Sequence, residues 1–250
     1  MNQPQSMVDT PASANGPQLH AVADQHALDF WLARGAVLLT AALNAVLVNN
    51  TSGLPWWLGS TVEVALLIPL SIATASTQRR IRKAHLPHHW KLIRAHRRWI
   101  RWFAIALTAV ITAINFSALF TVTHALLYGA KGANGQSLLI DALNIWFTNV
   151  VVFALWFWNL DRGGPASRGL HPDRLADFYF PQMSGDLPHY ENWTPGFIDY
   201  FFVSFTNATA FSPTDTMPLT ARTKLLFIVQ AAASLLTVGL VAARAVNILA

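Results

Sequence analysis

The sequence predicts an all-α fold, a polytopic transmembrane helical bundle of about five spans plus a short re-entrant (or sixth) helix. Three observations predict it. Hydrophobic residues make up 53% of the 250 and charged residues 12%, against roughly 25% charged in an ordinary soluble domain. The 10 Trp and 15 Phe add more apolar surface than a soluble core of this size conceals. The apolar residues also fall into runs of about 20, the length a helix needs to cross roughly 30 Å of hydrocarbon.

The first 28 residues are polar, rich in Pro, Ala and Gln, and free of Lys and Arg. They lack the basic and apolar regions of a secretory signal and read as a disordered tail, 1–28. The spans expected next are Phe30 to Val48, Trp56 to Ala75, Trp99 to Leu127 and Leu138 to Leu160, a four-helix transmembrane region over 29–160. A polar connection follows over 161–194. The last unit, 195–250, holds a short helical segment, a polar link and a final span from Leu225 to Leu249.

Charge sets the expected orientation. Nine of the 17 basic residues lie between Arg79 and Arg101 with no acid among them, so the basic loop 77–98 is expected in the cytoplasm by the positive-inside rule. The N-terminus is then cytoplasmic, in a multi-pass protein of the cell inner membrane. Arg162, Arg168 and Arg174 place the 161–194 connection on the same side. Arg79, Arg80, Arg82, Lys83, Lys91, Arg94, Arg97 and Arg98 are expected to contact anionic lipid headgroups, each contributing on the order of 1 kcal/mol. His85, His88, His89 and His96 stand among cations without a carboxylate or thiol, so no metal is expected. Nor is nucleic acid an expected partner. The chain has no cysteine, hence no disulfide or thiol ligand.

Few polar side chains interrupt the spans. Glu63 is an intramembrane charge that must face the bundle interior or a wet recess. Asn44, Asn115, Asn144 and Asn149 suit hydrogen bonds between helices. Asp141 lies near a helix start, where the dipole favours it, and reads as a cap.

The stretch "SFTNATAFSPTDTMPLT", Ser204 to Thr220, is the polar exception. Pro195 can open a helix, and "GFIDYFFVSFTNATA" suits one of about 15 residues, short for a span. Pro213 and Pro218 bar its continuation. A short helix, a polar link and a full span describe a re-entrant loop with its inner helix. Unpaired backbone at membrane depth is tolerated only where it is buried in protein or lines water. The pore-lining candidates are therefore Thr206, Asn207, Thr209, Ser212, Thr214 and Asp215.

At these residues the chain resembles the pore module of potassium channels, whose pattern runs through two aromatics, Ser, Phe and threonines into Thr-Val-Gly-Tyr-Gly-Asp, then Pro, Thr and a basic residue. Phe202, Ser204 and Phe205 match the pore helix, Thr209 a threonine, Asp215 the aspartate, and Pro218, Thr220 and Arg222 the exit. The filter departs from the family: "AFSPTD" stands where "TVGYGD" would, so potassium selectivity is not implied. The whole chain is similar to a group of bacterial multi-spanning inner-membrane proteins that share the "SFTNATAFSPTD" ending, a likeness that implies no activity. Potassium-channel pore loops enter from outside, whereas the charges place this one on the cytoplasmic side. Either the module is inverted, or Asn192 to Phe211 crosses as a sixth span. Re-entry is favoured by the shortness of the segment and by Asp199 and Asn207.

The expected function is a channel-like module, a weakly selective cation pore, forming a homo-oligomer (a tetramer if pore-like) with Asp215 charging its mouth. The alternative is a non-conducting module that keeps a pore-type fold for assembly, lipid contact or partner binding. An enzyme is not expected, because no nucleophile and base are paired and no zinc motif or nucleotide loop occurs. No cofactor is implied.

Overall fold

The computed structural model describes residues 15–47, 61, 64, 67, 71, 89–128, 135–165, 175–188, 190, 193–209 and 215–249. Five helices span them: α1 (Asn15–Leu47), α2 (His89–Tyr128), α3 (Gly135–Leu160), α4 (Phe197–Thr209) and α5 (Ala221–Leu249). Thr61, Val64, Leu67 and Ser71 are also helical, within the expected second span. Two two-residue strands, β1 (Phe178–Tyr179) and β2 (Met217–Pro218), pair antiparallel. Among the described residues, three helices are long and apolar enough to cross a membrane, over Arg101–Ala125, Leu139–Gly163 and Ala221–Ala243.

Two boundaries differ from expectation. The helix of the first span reaches back to Asn15, into the segment expected as a tail. Leu19 to Ala33 contains neither Pro nor Gly, and its Ala, Leu and Gln residues are good helix formers. Similarly, α2 begins at His89, inside the expected basic loop 77–98. No Pro or Gly follows until Gly129, so nothing breaks the helix once it has begun.

Helix α3 is the axis of the bundle. It packs against α1, α2, α4 and α5, and 67% of its span is buried, against 28% for α2 and 22% for α5. Its buried side is a run of β-branched and aromatic residues, Val150 to Phe153 and Phe157. These meet Ala33 and Val37 of α1, Leu107 and Ile111 of α2, and Tyr200 and Val203 of α4. In lipid such packing is driven by close van der Waals fit rather than by escape from water. The exposed faces are apolar, as lipid requires: Trp102 and Phe120 on α2, Leu225, Ile228 and Leu235 on α5.

The direction of each helix follows from its contacts. Asp29 of α1 meets the start of α4, while Asn44 further along α1 meets Asn144 near the start of α3. Thr112 of α2 bonds Trp156, and Leu119 and Val122 pack on Ile145. Arg222 at the start of α5 reaches the Leu160 carbonyl at the end of α3, while Ala233 packs on Ile145. Thus α1, α2 and α5 begin at the end where α3 finishes. There the chain leaves α3 through three successive left-handed residues, Arg162 (φ 49), Gly163 (φ 84) and Gly164 (φ 91). A Cβ at Gly164 would lie 2.9 Å from the Asn159 carbonyl, so this turn requires glycine.

Candidate functional site

Helix α4 is 13 residues long, about 20 Å at 1.5 Å per residue, and it carries three of the expected pore-lining residues. Its first turn is built from two aspartates. Asp199 accepts the Gly196 N–H at 2.7 Å, a side chain reaching back to the helix start. Asp29 of α1 accepts the Phe197 N–H at 3.0 Å. A Cβ at Gly196 would fall 2.8 Å from the Asp29 carboxylate, so this close approach needs glycine.

From there α4 descends along α3. Tyr200 meets Asp161 beyond the end of α3, Ser204 meets Val150 and Phe205 meets Trp146. The chain is next described at Asp215, and by Met217 it has returned to its starting level, where β2 pairs with β1 and Thr220 bonds Asp177. The short helix and the link after it therefore leave and return at one end of the bundle.

Ser204 and Asn207 of α4 face the neighbouring helices and are engaged. Ser204 Oγ donates to the Val150 carbonyl at 2.6 Å. Gln230 of α5, fully buried, donates through Nε2 to Ser204 Oγ at 2.7 Å and to the Ser204 carbonyl at 2.8 Å. Asn207 Nδ2 donates to Gln230 Oε1 at 2.8 Å and to the Phe227 carbonyl at 3.2 Å. One turn deeper, Asn149 of α3 donates to Ser234 Oγ at 2.8 Å. Three helices are thus joined by a ladder of amides and hydroxyls in an apolar setting. The other two expected lining residues bond back to their own helix: Thr206 Oγ1 to the Phe202 carbonyl at 2.9 Å, and Thr209 Oγ1 to the Thr206 carbonyl at 3.0 Å. What α4 exposes is Ile198, Phe202 and Phe205, an apolar stripe at i, i+4 and i+7.

A second polar centre closes the end of the bundle. Asp177, immediately before β1, is fully buried. Its carboxylate accepts from Thr220 Oγ1 at 2.7 Å, from Arg222 Nε at 2.8 Å and from Arg222 Nη2. Its N–H donates to Asp161 Oδ1 at 2.8 Å, and Asp161 Oδ2 accepts the Tyr200 hydroxyl at 2.6 Å. Edge-to-face aromatic contacts of Phe178 with Phe157 and Tyr200, at 5.3 and 5.8 Å between centroids, seal the centre from below.

The remaining expected residues divide. Asp215 is exposed at the end where the link returns. Ser212, Thr214 and Glu63 lie outside the described residues, as do Arg79, Arg80, Arg82 and Lys83. Lys91, Arg94, Arg97 and Arg98 lie in the first turns of α2. Asn44, Asn144 and Asn149 do bridge helices. Asp141 is not a cap: α3 begins at Gly135, so Asp141 sits past the first turn, where no free backbone N–H remains to be capped. It is 5% exposed, and neither carboxylate oxygen has a hydrogen-bond partner among the described residues.

The residues missed in the sequence are Asp161, Asp177, Tyr200, Gln230 and Ser234. Gln230 carried a signal, a lone amide within an apolar run of the last span. Asp177 carried only its place in "HPDRLADFYFPQM", a connection with aromatics. No protein-family model, curated relative or solved structure matches the chain.

Proposed function

We propose that the chain is a five-span inner-membrane protein whose C-terminal unit is a re-entrant, non-conducting scaffold for assembly and lipid contact, not an enzyme. The observation that carries this is the orientation of α4. Its amide and hydroxyl groups are spent on α3, α5 and its own backbone, and its outward face is Ile198, Phe202 and Phe205. A wet path needs polar atoms free to replace an ion's hydration shell, and α4 offers an apolar surface instead. The shared end of α1, α2 and α5 belongs in the cytoplasm on the charge pattern, with the N-terminus and the returning link on that side. The test is cation flux into liposomes holding purified, folded protein. No flux is expected across voltage and pH, and sustained flux would sink the proposal.

A second reading, a weakly selective cation pore in a tetramer, is supported by the chain path. A short helix that leaves and returns at one end, with Asp215 exposed there, is the arrangement a pore loop needs. Flux that falls on Asp215→Asn would favour it, since removing charge at a mouth lowers the local cation concentration.

A further inference from the structure

We propose that a crevice between α1, α2 and the turn after α3 binds one anionic phospholipid, with an acyl chain in the crevice and the phosphate on Arg34 and Arg101. This presupposes the membrane placement proposed above and names the lipid contact. The crevice encloses about 50 Å³, room for a few waters, so it admits a slender chain and excludes a folded metabolite. Its walls include Ala33, Val37, Leu107 and Leu155, with Gly163 to Pro165 at one end. Thr108 and Asn159 also line it, but the walls are mostly apolar and suit methylenes.

Two arginines line the same crevice, Arg34 and Arg101. A cation on an apolar wall suits a ligand that is anionic at one end and hydrocarbon at the other. Arg34 lies over the ring of Trp31, 5.3 Å from its centroid, and Trp31 is 69% exposed. That places Arg34 at the outer rim. Each guanidinium carries five N–H donors in a planar fork, so it can hold a phosphate alongside another partner.

The level of the site is that of headgroups. Trp99 and Trp102, exposed by 66% and 59%, stand with Trp31 at this end of the bundle, forming the aromatic belt that marks a membrane interface. The first turns of α2 add Lys91, Arg94, Arg97 and Arg98 with no acid among them. The local field therefore selects an anionic headgroup over a zwitterionic one.

The experiment is native mass spectrometry of the whole protein in mild detergent, titrated with phosphatidylglycerol, phosphatidylcholine or inorganic phosphate. The wild type should retain one phosphatidylglycerol and shed phosphatidylcholine, and phosphate should not displace the lipid. Arg34→Gln with Arg101→Gln should weaken retention about thirtyfold, from roughly fivefold per arginine near an anionic surface. Ala104→Phe, which fills the crevice and keeps both arginines, should abolish retention. If the double variant does not fold, Ala104→Phe decides the matter. Equal retention of the two lipids, displacement by phosphate, or retention unchanged in a folded variant would overturn the proposal. Lipid retention is read without any flux, so conduction, which ends the scaffold reading, leaves this site standing.

Discussion

Arg222 and Asp177, 45 residues apart, form a two-pronged ion pair: Nε and Nη2 of the guanidinium donate to the two oxygens of one carboxylate. The carboxylate is fully buried, whereas the arginine side chain is 51% exposed. The pair fastens the start of α5 to the connection that follows α3. Removing a partner from a buried pair leaves an uncompensated charge and costs about 3–5 kcal/mol. Half-exposure of the arginine reduces this, because water screens its side of the pair.

Arg222→Ala should therefore destabilise the protein by roughly 2–3 kcal/mol, read as a lowered midpoint of thermal unfolding in detergent. Arg222→Lys should recover only part of the loss, since an ammonium keeps the charge without the fork. Full recovery by lysine would mean that charge alone holds the contact.

The ladder around Gln230 should behave as a unit. Gln230→Leu removes the donor to the Ser204 carbonyl and leaves Asn207 with the Phe227 carbonyl alone, and should cost about 2 kcal/mol. Ser234→Ala, which removes a single interhelical bond, should cost nearer 0.6 kcal/mol, the average for such bonds in membranes. A double-mutant cycle between Asn207→Ala and Gln230→Ala should show coupling of about 1 kcal/mol. Strict additivity would show that the two amides do not depend on each other.

The bundle class and the three long spans were legible because apolar runs of bilayer length leave little choice of structure. The asparagine bridges were legible too, since an amide in hydrocarbon seeks another helix. The ion pair of Asp177 and Arg222 was not. It depends on two segments meeting after α4 has folded back, and no spacing rule reports such a meeting. The orientation of α4 was likewise hidden: Thr206, Asn207 and Thr209 are as compatible with water as with neighbouring helices. Gln230, on another element, engages Asn207, while Thr206 and Thr209 bond back to their own helix. Asp141 is the exception: its helix starts six residues earlier, at Gly135, beyond the reach of the dipole, which fades after the first turn.

The chain path gives a test of topology. Asp215 and Ser184 are both exposed at one end of the bundle, although α4 lies between them. The native chain contains no cysteine, so Asp215→Cys and Ser184→Cys can be labelled singly with an impermeant maleimide. Both should react from the cytoplasmic side only. Reaction from opposite sides would mean that α4 and its flanks cross the membrane as a sixth span.

Asp141 should prove a burden to stability. A buried polar group without a partner costs about 1–3 kcal/mol, so Asp141→Leu should raise the unfolding midpoint. A lowered midpoint would reveal that the carboxyl has a partner it needs.

Asp29 accepts the first N–H of α4 from 168 residues away. The last 56 residues read like a cassette that could be cut out and grafted elsewhere, yet the first amide of its short helix is capped by the first helix of the chain. Its amide ladder also ends on the Val150 carbonyl and the Asn149 side chain, which belong to the axial helix. Excised at Pro195, the unit would carry into lipid a helix start without its cap and buried polar groups without their partners. The C-terminal unit is therefore not a transplantable part.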